Sequence, residues 1–260
     1  MNNMSFWGDG VAIVCEIGPN HNGSPDNAFR LIDAAKSAGA THVKFQAFTP
    51  SELVALRGDG AAPEPWGGQG WSCRDLYTAV QTPLDWFPLL AEYCAMEGVP
   101  WFASVFGAES LAAMEAVGCP VYKLAAMEWG NTDLANLVWA TGKPVVRSRP
   151  HSHPPRKHEL RKMGETAGIM GLLCFAPPGY PQKYAMLRSA SFEGRQGFFG
   201  YSYHGSNPDI PAYAVVRGAR YIETHLMLED EPSKFEAGFA FTERGFTEMV
   251  KRVRKAEAAL

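Results

Sequence analysis

Short runs of apolar and β-branched residues recur at residues 11–15, 42–46, 101–104, 121–124, 144–147, 171–175, 198–202 and 221–225. Each has the length of a buried strand. Between them the apolar period changes. Phe29, Ile32 and Ala35 fall on one face of a helix predicted over residues 25–38, residues 111–117 behave likewise, and Phe246, Met249, Val250 and Val253 line one face of a last helix within residues 242–260. Eight strands alternating with helices predict an α/β chain folded as a (β/α)8 TIM barrel, with every connection a crossover between parallel strands. Local signals agree: Ser24-Pro25 reads as an N-cap followed by proline at the first helical position, and Gly39, Gly98, Gly118 and Gly142 stand where helices should stop.

The rhythm fails once. Residues 51–81 carry Arg57-Gly58-Asp59-Gly60 and a Pro/Gly-rich stretch over 63–70, which break any period and predict a long insertion. Trp66 and Trp71 argue against a plain linker, because exposed tryptophans without packing partners waste apolar area. An insertion that follows strand two on the active-site side is expected to act as a lid. The chain of 260 residues, 46% hydrophobic, otherwise matches the about 250 residues of one such barrel, so residues 1–260 are read as one domain.

Charge and cysteine content narrow the function classes. A net charge of -3 with interspersed signs offers no basic field for a phosphate backbone or an anionic membrane, so neither nucleic acid nor membrane is an expected partner. Cys15, Cys73, Cys94, Cys119 and Cys174 are odd in number and never spaced C-x-x-C, which fits reduced thiols in the cytoplasm better than a disulfide framework or a thiolate zinc site. No apolar run approaches the roughly 20 residues that span a bilayer, and residues 1–10 lack a signal-peptide pattern.

Polar residues then stand out inside the predicted strands. Residues two apart share a face, so Lys44/Gln46, Ser202/His204 and Glu223/His225 project in pairs near the carboxyl ends of their strands, where barrel active sites lie. Glu16 after strand one, Ser104 after strand three, Lys123 on strand four and Ser148 after strand five join them. Singly, each is better read as a hydrogen-bonded core or rim residue. Together, polar groups on seven of eight strands at one end read as an active site. His151, His153 and His158 lie in a Pro/Arg/Lys-rich stretch and read as solvated surface. Two lysines and several hydroxyls suit a dianionic ligand such as a phosphate ester, and two histidines on adjacent strands suit a transition metal with open positions.

The residues Cys15-Glu16-Ile17-Gly18-Pro19-Asn20-His21-Asn22-Gly23 and Val43-Lys44-Phe45-Gln46 resemble the opening of the sialic acid (N-acetylneuraminate) synthase family. The resemblance continues through Thr82-Pro83-Leu84-Asp85-Trp86, Val121-Tyr122-Lys123, Thr141-Gly142-Lys143-Pro144, Tyr180-Pro181, Ser202 with His204, and Ile222-Glu223 with His225. It implies a transferase of carbohydrate biosynthesis that condenses phosphoenolpyruvate with an amino-sugar aldehyde to give a 2-keto acid. The implied cofactor is a divalent metal of the Mn2+ type, with Mg2+ or Co2+ as alternatives, and the implied assembly is a homodimer. By motif, His204 and His225 match metal ligands; Glu16, Lys44, Lys123 and Glu223 match catalytic positions; Asn20, Gln46, Ser104, Glu128, Ser148, Tyr180 and Ser202 match substrate-binding positions.

Departures from the pattern sharpen the expectation. Ala126 replaces a serine, Arg149-Pro150 replaces Thr-Gly, Tyr203 replaces an aspartate, and Glu236-Ala237-Gly238 stands where the family carries Gly-Pro-Asp, whose aspartate contacts the sugar. The sequence also ends at the barrel, whereas typical members continue into an antifreeze-like domain that lends an arginine to a neighbouring subunit. N-acetylmannosamine is therefore expected to be a poor acceptor. Two other readings stay open: a metal-dependent aldolase or lyase of other specificity, which would release pyruvate without phosphate, and a non-catalytic binding barrel.

Overall fold

The computed structural model describes residues 6–150, 172–176, 187 and 199–260. Tyr180, His151, His153 and His158 lie outside these residues. Eight parallel strands close into a barrel in sequence order: β1 (Ala12–Glu16), β2 (His42–Ala47), β3 (Trp101–Val105), β4 (Tyr122–Leu124), β5 (Val145–Pro150), β6 (Leu172–Ala176), β7 (Gly200–Tyr203) and β8 (Tyr221–His225). All eight predicted runs are strands. Glu16 and Ser148 are strand residues rather than the loop residues expected, since β1 and β5 run further towards their carboxyl ends, and Ser104 lies within β3.

Closure is made by β8 pairing with β1, with Val14 opposite Glu223 and Glu16 opposite His225. Because a strand alternates faces, this register sends Tyr221, Glu223 and His225 inward in successive layers. On β2 the matching series is His42, Lys44 and Gln46, set against Phe102 and Ser104 of β3. Gly200 has no side chain for a spatial reason: a Cβ there would lie 2.6 Å from the Cβ of Tyr221.

Helices α1 (Pro25–Ala38), α2 (Pro50–Arg57), α3 (Cys73–Val80), α4 (Phe87–Glu97), α5 (Ala108–Ala116), α6 (Thr132–Ala140), α7 (Asp209–Val216) and α8 (Glu243–Glu257) are also described. Ser24 caps α1 by accepting from the Asn27 amide, and Gly39 ends it with φ 91°. Its buried face is Ala28, Leu31, Ile32 and Ala35. Phe29 sits at the rim of that face, its ring 4.6 Å from Tyr93. On α8, Phe246, Met249, Val250 and Val253 are the buried residues, as the spacing predicts.

The barrel floor is aromatic. Trp7 is buried against His42, Phe102 and Tyr221 at ring distances of 4.9, 5.4 and 5.6 Å. His42 Nε2 lies 2.8 Å from the Phe6 carbonyl, and burial lowers the His42 pKa to about 4, keeping the ring neutral.

Residues 51–81, read from the sequence as an insertion without a period, contain helices. They carry most of α2 and all of α3, each started by a capping box: Thr49 with Glu52, and Ser72 with Asp75. An isolated bridge joins Ala61 to Ser72 across the Gly/Pro-rich stretch. Leu53 packs with Phe48 and Phe106, which follow β2 and β3, so the segment docks on the carboxyl side of the barrel.

Candidate active site

Four buried charges occupy the carboxyl half of the barrel. Lys44 from β2 forms an ion pair with Glu16 of the neighbouring strand β1 and donates to Ser104 Oγ at 3.2 Å. Lys123 from β4 reaches across to Glu223 of β8 at 2.5 Å, and Lys44 Nζ lies 3.7 Å from the same carboxylate oxygen. Glu223 also accepts from Ser202 at 2.9 Å and from Tyr221 at 2.5 Å. Burial alone would raise its pKa. The ammoniums of Lys123 and Lys44, with hydrogen bonds from Lys123 and Tyr221, outweigh burial and hold it well below the usual carboxylate range.

Each charge here needs the others, because removing one partner of a buried pair costs about 3–5 kcal/mol. Cys15, next to Glu16, stays a thiol because burial raises its pKa, against the opposing influence of Lys44.

Above this layer His204 and His225 face one another with ring centroids 5.0 Å apart. Phe239 lies against both rings, at 5.9 and 5.3 Å. Burial first, then the neighbouring His225, lowers the His204 pKa well below its ordinary value, leaving the neutral form that binds metals. Two imidazoles sharing one ion through nitrogens at roughly 2.1 Å have centroids about 5 Å apart, so the pair fits a divalent ion. Among the described residues no group of three His, Cys, Asp or Glu forms a complete cage.

The turn after β1 explains its own composition. Gly18 has φ 47°, and its amide donates to Glu16 Oε1 at 2.7 Å. A Cβ there would lie 3.3–3.5 Å from polar atoms of Glu236, Gln46 and Glu16. Asn20 donates to Glu236 Oε2 at 2.9 Å, while its Oδ1, like the Ser148 hydroxyl, is buried without a hydrogen-bond partner among the described residues. Such atoms need a ligand or water.

Thus Glu16, Asn20, Lys44, Gln46, Ser104, Lys123, Ser148, Ser202, His204, Glu223 and His225 all come from the middle or the carboxyl ends of strands or the turns just beyond. Glu128 differs: its two oxygens are taken by Arg57 at 3.0 Å and Asn131 at 2.9 Å, which ties α2 to the turn after β4. Arg149 alternates with Ser148 on β5 and so faces the other way. It shares that side with Arg147, whose guanidinium lies over Trp129 outside the barrel.

Two residues of this end carry no periodic signal. Arg57 is one. Glu236 is the other: its Oε2 lies 2.6 Å from His225 Nδ1. An acid thus stands in this segment two residues before Gly238, turned towards His225 and Asn20.

Comparison with known proteins gives one family. The model of the NeuB family matches residues 31–260. The spore coat polysaccharide biosynthesis protein SpsE of Bacillus subtilis is 29% identical over 96% of this chain and 68% of its own length. Pseudaminic acid synthase of Campylobacter jejuni is 31% identical over 96% of this chain and 75% of its own. Among solved structures, the N-acetylneuraminic acid synthetase of Leptospira borgpetersenii, in complex with citrate, superposes with a TM-score of 0.77 at 22% identity, covering 96% of this chain and 85% of that one.

Proposed function

The chain belongs to the NeuB family, and from that premise we propose that it catalyses a phosphoenolpyruvate-dependent condensation with an amino-sugar-like aldehyde. C3 of phosphoenolpyruvate bonds to the aldehyde carbon, water adds at C2, phosphate leaves, and a 2-keto acid results. The observation that carries this reading is the pair of buried ammoniums, Lys44 and Lys123, in one barrel end with two facing imidazoles and with a Ser148 hydroxyl that has no hydrogen-bond partner among the described residues.

Lys44 and Lys123 bind the phosphate and carboxylate of phosphoenolpyruvate, exchanging part of their contact with Glu16 and Glu223 for the ligand; Ser104, Ser148 and Ser202 donate to the same oxygens. Glu223 stays ionised between the lysines and keeps both aimed inward. Glu16 takes the proton of the water that adds at C2. A divalent ion of the Mn2+ type, held by His204 and His225, would supply the positive charge that polarises the acceptor carbonyl. Asn20 and Gln46 face the acceptor, and Tyr180 joins them by family resemblance. Residues 51–81 act as a lid, anchored through Arg57 to Glu128 and through Trp66, whose ring lies 6.1 Å from Phe235, to the loop after β8. The free thiols Cys15, Cys73, Cys94 and Cys119 suit a cytoplasmic enzyme.

The test follows inorganic phosphate while the protein is incubated with Mn2+, phosphoenolpyruvate and a panel of N-acetylated aldoses. Release that depends on one aldose is expected, with N-acetylmannosamine a poor acceptor. Pyruvate formed without phosphate, or no release with any aldose, sinks the reading.

A further inference from the structure

We propose that Glu236 is a positioning residue for the metal site: it fixes the tautomer of His225 and so decides which nitrogen of that ring can take an ion. The inference rests on the metal reading given above.

A neutral imidazole carries one proton on two nitrogens, and the hydrogen bond at one nitrogen sets the role of the other. Glu236 Oε2 stands 2.6 Å from His225 Nδ1. A carboxylate oxygen can only accept, so in the neutral ring the one proton belongs on Nδ1 and Nε2 keeps its lone pair. Carboxylates behind metal-bound histidines act in this way, and losing one typically weakens metal affinity about 10–100-fold.

The surroundings show that this carboxylate is delivered rather than left to drift. The Glu236 and Phe235 amides donate to Ser233 Oγ at 2.9 and 3.2 Å, which closes a turn immediately before the carboxylate. Asn20 donates to the same Oε2 that faces His225, and Gly18 leaves room for it. Asn22 fixes the flanking chain, donating to the carbonyls of Glu231 and Pro232 at 3.3 and 3.2 Å and accepting from the Lys234 amide at 3.0 Å. Asn20 thus holds Glu236 through its amide nitrogen, which leaves its oxygen for a ligand. The Gly-Pro-Asn-His-Asn turn after β1 and the loop after β8 form one support, whose product is a single orientation of the His225 ring.

The test needs no turnover. Nitrogen-15 histidine spectra of the metal-free protein report the tautomer, and the paramagnetic resonance of free Mn2+ reports affinity, in wild type, Glu236→Gln and Glu236→Leu. The wild type should show His225 protonated on Nδ1. Glu236→Leu should lose that single state and bind Mn2+ about 10–100-fold more weakly, and Glu236→Gln, which keeps an acceptor oxygen, should fall between. A wild type that takes up no Mn2+ overturns both this inference and the metal reading. A Glu236→Leu variant with the wild-type tautomer and affinity overturns this inference alone. So does a loss of Mn2+ binding that merely follows loss of folded protein in metal-free thermal melts.

Discussion

The two ends of the barrel are equally hidden from water and chemically opposite. At the amino end Trp7 packs on Phe102, Tyr221 and a neutral His42. At the carboxyl end, Lys44 and Glu223 are buried about as completely as Tyr221. The apolar end is stabilised by contacts of the kind any core makes, roughly in proportion to area. The charged end consists of ions that are costly to bury and tolerable only because each has a partner, an arrangement that well-packed apolar residues could often replace at no loss of stability. One strand runs through both regimes: β8 presents Tyr221, then Glu223, then His225. Such a contrast marks where function, rather than folding, selects the side chain.

Lys123→Met should break the contrast most severely. It leaves Glu223 buried beside Lys44 alone, so stability should fall by about 3–5 kcal/mol in denaturant titrations without metal or substrate. Phosphate release should drop at least about a hundredfold. The double variant Lys123→Met/Glu223→Gln should regain part of the stability and none of the activity. A single variant as stable as wild type would mean that the charges are not coupled.

At the opposite end Trp7→Ala should cost about 3 kcal/mol, read as a lower denaturation midpoint. The kcat/KM should change by less than a factor of about two, because Trp7 reaches the charged layer only indirectly, through the ring of Tyr221. A large loss of activity at full folding would show that the two ends are not separable.

An effect of similar size concerns pH. The His42 pKa is lowered to about 4 in the folded protein, against about 6.5 unfolded. Between these values the unfolded chain binds more protons, so stability rises with pH; the neutral ring's contribution is complete above 6.5 and is lost as pH falls towards 4. The loss should approach roughly 3 kcal/mol at about 1.36 kcal/mol for each pH unit. His42→Gln, whose amide can still donate to the Phe6 carbonyl, should flatten this part of the profile. Identical acid profiles for the two proteins would refute the assignment.

Much of this division is legible in the sequence, because strands and the face of α8 are periodic. The polar strand residues interrupt that period at one end, which is why Lys44, Lys123, Glu223, His204 and His225 stand out from the order of residues alone. Other parts are hidden for reasons of distance or irregularity. Helices α2 and α3 are eight residues each, too short for a period to emerge from a Gly/Pro-rich stretch, and only the Thr49–Glu52 and Ser72–Asp75 caps announce them. Glu236 sits in a turn set by Ser233, and Arg57 finds Glu128 across 71 residues. Trp7 belongs to no amphipathic pattern at all.

The pairing of charges also imposes an order in time. Lys44 can meet Glu16, only 28 residues away, as soon as β1 and β2 associate. Lys123 must wait for Glu223, 100 residues further along, and Asn20 waits for Glu236 across 216. Closing so long a loop costs entropy before any contact repays it. A chain emerging from synthesis therefore has to keep Lys123 hydrated, with the half-barrel open, until its last strand arrives. Closure of the ring, neutralisation of Lys123 and completion of the His204–His225 pair then become a single late event.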